Sequence, residues 1–138
     1  MNKIKILPHT KNYIRNQFQQ INYTLQHKKA YLRVEKELLG KNTLSGYLHD
    51  SNKLVMYALL IPINLAHKIH KKLSPHHVKK GRVKNPIAAV IDWECARHTK
   101  PIKDLGARSV YKRYYPNVPE IEAALKKLGL WDKPNFIE

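Results

Sequence analysis

The chain has 138 residues, of which 43% are hydrophobic and 26% are charged. This length and composition predict one globular domain with a buried core, and they exclude an intrinsically disordered chain. Twenty-six Lys and Arg residues against ten Asp and Glu give a formal net charge of +16. Such a charge favours phosphate-bearing partners, although it also serves solubility alone.

Three features of the sequence bear on location. No apolar run approaches the ~20 residues that a membrane span requires. The basic start has no apolar signal-peptide region, and the single cysteine, Cys95, excludes an internal disulfide framework. We therefore expect a cytoplasmic protein with no membrane partner.

A long amphipathic helix is predicted from Tyr13 to Leu39, after an extended N-terminal stretch that ends near Thr10. Its apolar residues recur at spacings of three, four and seven, and Gly40 is a typical stop. His27 lies within this helix beside the apolar stripe. A histidine there is either a metal ligand or an ordinary core residue.

A second helix is predicted from Asn42 or Thr43 to about residue 60, with the adjacent pair His49 and Asp50 in its interior. Lys53 follows His49 at i+4 and Asp50 at i+3, so all three side chains would share one side of the helix. Two groups that are costly to bury would then lie within an apolar stretch.

The rest of the chain is also predicted to be helical. A third helix (64–73) carries His67 and His70 and is followed by His76, His77 and a basic loop with Gly81 as its hinge. The remaining helices are predicted at 86–98, 104–115 and 121–128. The sequence thus predicts an all-α bundle of five to seven helices, with an arm (1–12), a single domain (13–131) and a tail (132–138).

Asp92 lies in the predicted helix 86–98 among the small side chains Ala88, Cys95 and Ala96. Small residues let helices approach closely, which would bury this carboxylate, and a buried carboxylate needs a cation. The cation is either a metal ion or a neighbouring arginine such as Arg97.

Candidate ligands therefore occur on three separate helices: His27, the pair His49 and Asp50, and Asp92. Two imidazoles and two carboxylates form a mixed nitrogen and oxygen site, which suits Mn²⁺, Fe²⁺, Co²⁺, Ni²⁺ or Zn²⁺. We expect one or two such ions.

This order of ligands resembles that of the HD-domain metal-dependent phosphohydrolases. More narrowly, the chain resembles the small uncharacterised HD-like proteins of the DUF5662 type. The resemblance covers roughly residues 23–131 and is carried by residues 48–54, 76–77 and 91–96.

The resemblance implies a helical HD fold in which His27, His49, Asp50 and Asp92 hold the first metal and a bound water is the nucleophile. Later histidines would complete a second metal site, and of His67, His70, His76 and His77 we favour His70 and His77. The predicted catalytic residues are Asp50, Lys53 and Glu94. The residues predicted to bind phosphate or substrate are Lys53, Lys79, Lys80, Arg82 and Arg97, and the basic loop either closes over the substrate or is simply solvated.

We therefore expect a metal-dependent phosphohydrolase, either a phosphomonoesterase or a phosphodiesterase, that acts on a nucleotide or short oligonucleotide. Two alternatives stay open at this point. One is a basic nucleic-acid-binding protein without catalysis, because Tyr111 to Tyr115 combine aromatic and basic side chains. The other is an HD-type di-iron oxygenase.

Overall fold

Helices account for the regular secondary structure of residues 8–99 and 106–132, the part of the chain that the computed structural model describes. Only an isolated bridge between Lys79 and Arg82 adds to them. No helix in these two ranges is long and apolar enough to cross a membrane. The predicted all-α class is confirmed, and eight helices occur in these ranges: α1 (Pro8–Leu39), α2 (Leu44–Leu48), α3 (Ser51–Ala58), α4 (Ile63–Leu73), α5 (Pro86–Glu94), α6 (Ala96–Thr99), α7 (Ala107–Tyr114) and α8 (Pro119–Lys127).

Two of the predicted helices are each divided in two. The short segments α2 and α6 arise from these divisions, and the other six helices of the described ranges agree with the predicted five to seven. His49 ends α2 as its C-cap and Asp50 precedes α3 in a left-handed conformation with φ 57°. The prediction of one continuous helix with this pair in its interior was therefore wrong. The predicted helix 86–98 is likewise divided at Cys95 into α5 and α6.

The ends of other helices follow the sequence signals closely. α5 begins with Pro86 in its first turn, and the side chain of Asn85 accepts a hydrogen bond from the Ala88 N–H at 3.0 Å, as predicted. α1 begins at Pro8, so residues 8–12 are helical and not an extended arm. Residues 1–7, 100–105 and 133–138 lie outside the described residues, and with them most of the predicted arm, the start of the predicted helix 104–115 and most of the tail. The predicted single domain stays a prediction.

The described residues form two compact units. The first unit contains residues 8–26 and 50–73, and its core is formed by Met56, Tyr57 and Ala66. Within it, Gln17 Nε2 donates a hydrogen bond to the carbonyl oxygen of Ile61 at 2.8 Å. This bond fixes the beginning of α1 to the segment that follows α3.

The second unit contains residues 27–49, 74–99 and 106–132. Its central element is α5, in which residues 88–91 are all buried. α5 packs against α7 and α8 through a core that includes Val90, Ile121 and Leu125. A second cluster of Tyr31, Val34, Ile91 and Cys95 joins α5 to α1. Because α5 is held on several sides, the carboxylate of Asp92 has a defined position.

Candidate metal centre

Two histidines of the second unit converge on one oxygen of Asp92. Nε2 of His27 lies 2.7 Å from Asp92 Oδ1, and Nε2 of His49 lies 3.0 Å from the same atom. The three residues come from α1, from the end of α2 and from α5. The predicted meeting of His27, His49 and Asp92 is therefore found, and the alternative ion pair between Asp92 and Arg97 is not.

The position of the His49 ring is set by stacking. The Tyr31 ring lies parallel to it within 15°, with centroids 3.9 Å apart, and Tyr31 is buried. Tyr31 is one helical turn after His27 on α1, so the two residues lie on one face of that helix. The same stretch of α1 therefore supplies one imidazole and orients the other.

The buried carboxylate of Glu35 fixes the start of α2, and this in turn fixes the position of His49 at the end of that helix. Glu35 accepts hydrogen bonds from the Thr43 N–H and the Thr43 hydroxyl, each at 2.8 Å. The Thr43 hydroxyl oxygen in turn accepts from the Gly46 N–H at 3.0 Å. A Cβ at Gly46 would lie 2.6 Å from Glu35 Cδ and closer still to both carboxylate oxygens, so this packing requires glycine.

The charge on Asp92 is stabilised within this group. Burial acts to raise the pKa of Asp92, but hydrogen bonds from His27 and His49, together with their charge, outweigh it and hold that pKa well below the ordinary value. The N···O distances of 2.7 and 3.0 Å also match the roughly 3 Å spacing of neighbouring ligands on an ion with bonds of about 2.1 Å. The three side chains therefore fit a divalent metal ion.

A row of histidine rings extends from this group. The rings of His49 and His76 have centroids 4.5 Å apart, and those of His76 and His77 lie 4.3 Å apart. His76 is buried and His77 is half-buried. His76, which the sequence did not favour over its neighbours, is thus the histidine in ring contact with His49.

In the first unit, Asp50 contacts both His70 and Lys53. Asp50 Oδ1 lies 3.2 Å from His70 Nε2, and Asp50 Oδ2 accepts a hydrogen bond from Lys53 Nζ at 2.9 Å. The other ring nitrogen of His70, Nδ1, donates to the side-chain oxygen of Asn52 at 2.8 Å. Because that amide oxygen only accepts, Nε2 of a neutral His70 presents a lone pair to the carboxylate, and either a proton on Nε2 or a bound cation would make the approach favourable. His67 is exposed and lies edge-on to Tyr57.

The predicted basic loop forms a tight turn. Lys79 and Arg82 exchange backbone hydrogen bonds of 2.7 and 3.0 Å, and both central residues, Lys80 and Gly81, have positive φ, as in a type I′ turn. Lys79 and Arg82 line a cavity of about 340 Å³, whereas Lys80 does not. The described residues that line this cavity are Ser74, Pro75, His77, Lys79, Arg82, Val83, Lys84 and Glu120.

Two other predicted site residues have structural contacts. Glu94 and Arg97 are both buried and form an ion pair, and the second Glu94 oxygen accepts a hydrogen bond from the Ala107 N–H at 2.9 Å. A Cβ at Gly106 would lie 2.5 Å from the Arg97 guanidinium, so the chain packs closely over this pair. These contacts join α5 to the start of α7, and the catalytic role of Glu94 and the substrate-binding role of Arg97 stay predictions.

Sequence reasoning did not identify Glu35, Asn52 or Glu120. Glu35 follows Tyr31 by one helical turn, so its position on the buried stripe of α1 was the signal that could have identified it.

The buried or half-buried His and Asp side chains that could hold a metal ion are His27, His49, Asp92, His76 and His77 in the second unit, and Asp50 and His70 in the first. In comparisons with known proteins, no family model, no curated protein and no solved structure matched the chain.

Proposed function

We propose that the protein is a metal-dependent phosphohydrolase that acts on a nucleotide or short oligonucleotide. The observation that carries the proposal is the convergence of His27 and His49 on one oxygen of Asp92. A largely buried group of two imidazoles and a carboxylate suits a divalent transition metal. The +16 net charge favours an anionic substrate.

The contacts of these residues support the following proposed roles. His27, His49 and Asp92 would hold the ion, and Asp50, next to His49 in the chain, is the predicted fourth ligand. A bound divalent ion would supply positive charge to a phosphoryl oxygen and make a water molecule more acidic. Lys53 is predicted to attract the phosphoryl oxygens, and electrostatic stabilisation of this kind is a large part of phosphoryl-transfer catalysis. Tyr31 and Glu35 hold His49 in position.

Metal content and hydrolysis test the proposal together. The purified protein should carry one or two transition-metal ions per chain by elemental analysis, and it should release phosphate or a nucleotide from members of a nucleotide and dinucleotide panel. Asp50→Ala should lose turnover and part of its metal, while its retention on heparin changes little because the surface charge is nearly unchanged. Full turnover in Asp50→Ala would reject this mechanism.

A second candidate is a non-haem iron oxygenase, because two histidines and one carboxylate also form the donor set of such enzymes. An absorbance that changes when oxygen is added to the iron-loaded protein, without phosphate release, would favour it. The basic cavity beside His77 favours the hydrolase, since an oxygenase has no general need for clustered cations.

A further inference from the structure

The cavity of about 340 Å³ in the second unit has a lining that combines cations with one carboxylate. Lys79, Arg82 and Lys84 contribute the positive charges, and Glu120 contributes the negative one. Pro75 and Val83 add apolar surface between them. This volume lies at the lower end of the range for small-molecule sites, about the size needed for one small phosphorylated molecule.

The cationic side of the cavity is built on a fixed turn. Lys79 and Arg82 face each other across the bridge that closes the turn, and the Asn85 N–H donates to the Pro75 carbonyl oxygen at 2.9 Å to close the larger loop. Arg82 presents a planar set of donors that matches phosphate oxygens. Because the backbone holds these cations together, a phosphate group would not have to order the loop when it binds.

Glu120 indicates which other chemical group the ligand carries besides its phosphate. It lies in the first turn of α8, and its Oε2 atom is buried with no hydrogen-bond partner among the described residues. A buried carboxylate oxygen gains from a hydrogen-bond donor and repels phosphate. A ligand that satisfies both sides therefore carries a phosphate at one end and hydroxyl groups at the other.

We propose that this cavity binds the sugar-phosphate portion of the substrate, with the phosphate on Lys79, Arg82 and Lys84 and a sugar hydroxyl donating to Glu120. This assignment rests on the proposed function, since it makes the cavity the binding site for the non-reacting part of the substrate. His77 lines the cavity and contacts His76, which contacts His49. The cavity thus adjoins the row of rings that leads to Asp92.

The test is calorimetric titration with ribose 5-phosphate, inorganic phosphate and ribose, on the protein as isolated and after EDTA treatment, with folding checked by circular dichroism. Ribose 5-phosphate should bind about tenfold more tightly than phosphate, corresponding to one good hydrogen bond. Arg82→Gln and Lys84→Gln should each weaken both ligands by about tenfold. Glu120→Met, which cannot accept the hydroxyl, should bring the two affinities together.

Lys41→Gln is the matched control, because Lys41 is an exposed lysine of the same unit that does not line the cavity. It should leave all affinities unchanged. Equal binding of phosphate and ribose 5-phosphate to the unsubstituted protein would overturn the assignment, as would unaltered affinities in both Arg82→Gln and Lys84→Gln. Tight ribose 5-phosphate binding without any nucleotide hydrolysis would instead reject the proposed function and leave the cavity assignment standing.

Discussion

His27 and Asp92 are 65 residues apart in the chain, yet His27 Nε2 lies 2.7 Å from Asp92 Oδ1. The contact joins α1 to α5 and makes the carboxylate the common point of two imidazoles. Asp92→Asn keeps the side-chain shape but removes the charge that balances a cation. We expect this variant to bind Zn²⁺ or Mn²⁺ at least about tenfold more weakly, as measured by competition with a chelating dye.

The matched control for Asp92→Asn is Asp132→Asn, because Asp132 is exposed near the end of the second unit. It makes the same chemical change and should leave metal affinity unaltered. Equal affinity in both variants would remove Asp92 from the metal site. Circular dichroism on both proteins separates loss of metal from loss of fold.

The glycine at position 46 is expected to be necessary for stability. In Gly46→Ala the added Cβ would lie 2.6 Å from Glu35 Cδ, so the carboxylate would have to move away from its two bonds to Thr43. Helix propensity favours alanine by about 1 kcal/mol, but overpacking and two disturbed hydrogen bonds cost more. We expect a net loss of about 1–3 kcal/mol in the free energy of unfolding, measured with urea.

Ser45→Ala tests the propensity contribution alone, because Ser45 is exposed in the same helix. Its stability should lie within about 0.5 kcal/mol of the parent protein. If Gly46→Ala were as stable as Ser45→Ala, the close contact with Glu35 would not constrain this helix.

The turn that carries Lys79 and Arg82 should depend on Gly81, which has φ 73° and open space within 4 Å of the point that a Cβ would occupy. Gly81→Ala therefore introduces backbone strain without a clash, at a cost of about 1–2 kcal/mol in unfolding free energy. Gly81→Asn should lose less, because asparagine adopts this conformation more readily. Urea unfolding of both variants measures the difference, and equal losses would contradict the strain argument.

Alkaline pH should destabilise the second unit through Tyr111. Burial, followed by the nearby charge of Glu122, raises the pKa of Tyr111 above its ordinary value of 10.0. A raised folded-state pKa means that stability is fully present below about pH 10 and is lost as the pH rises through the folded-state value. Urea unfolding between about pH 9 and about pH 11 should show this decline.

Tyr111→Phe should reduce that pH dependence, since phenylalanine does not ionise. At neutral pH the same variant should be about 1 kcal/mol less stable, because the Tyr111 hydroxyl donates to the Pro116 carbonyl oxygen at 3.0 Å. Tyr114→Phe serves as the control, because Tyr114 is 62% exposed and its change should have little effect. An identical alkaline decline in Tyr111→Phe and the parent protein would assign the decline to other groups.

Much of the helical architecture could be predicted from spacing and from terminal signals. Pro86 after Asn85, Pro119, and the glycines at 40 and 129 all mark helix ends that the structure contains. The break between His49 and Asp50 could not be predicted, because the apolar spacing resumes beyond it and neither proline nor glycine occurs from Tyr47 to Ala58. What divides the helix is the left-handed backbone of Asp50, a residue type that adopts this conformation more easily than most.

Part of the candidate metal centre could also be predicted. His27, His49 and Asp92 were identifiable because groups that are costly to bury lay in apolar helical stretches. The contacts of Glu94 and Arg97 could not be predicted, because a structural ion pair and a catalytic pair consist of the same residue types. Glu35 and Glu120 were also not predicted as buried residues, since acidic residues in amphipathic helices usually face water.

The parallel stacking of Tyr31 on His49 supplies a spectroscopic handle on this centre. A proton held over the face of an aromatic ring experiences the ring current, which moves its magnetic resonance upfield. The ring protons of His49 should therefore be separated from those of the exposed histidines in a proton NMR spectrum. The unpaired electrons of cobalt(II) displace or broaden nearby resonances. Binding of cobalt(II) could therefore be followed through the His49 resonances without any isotope label.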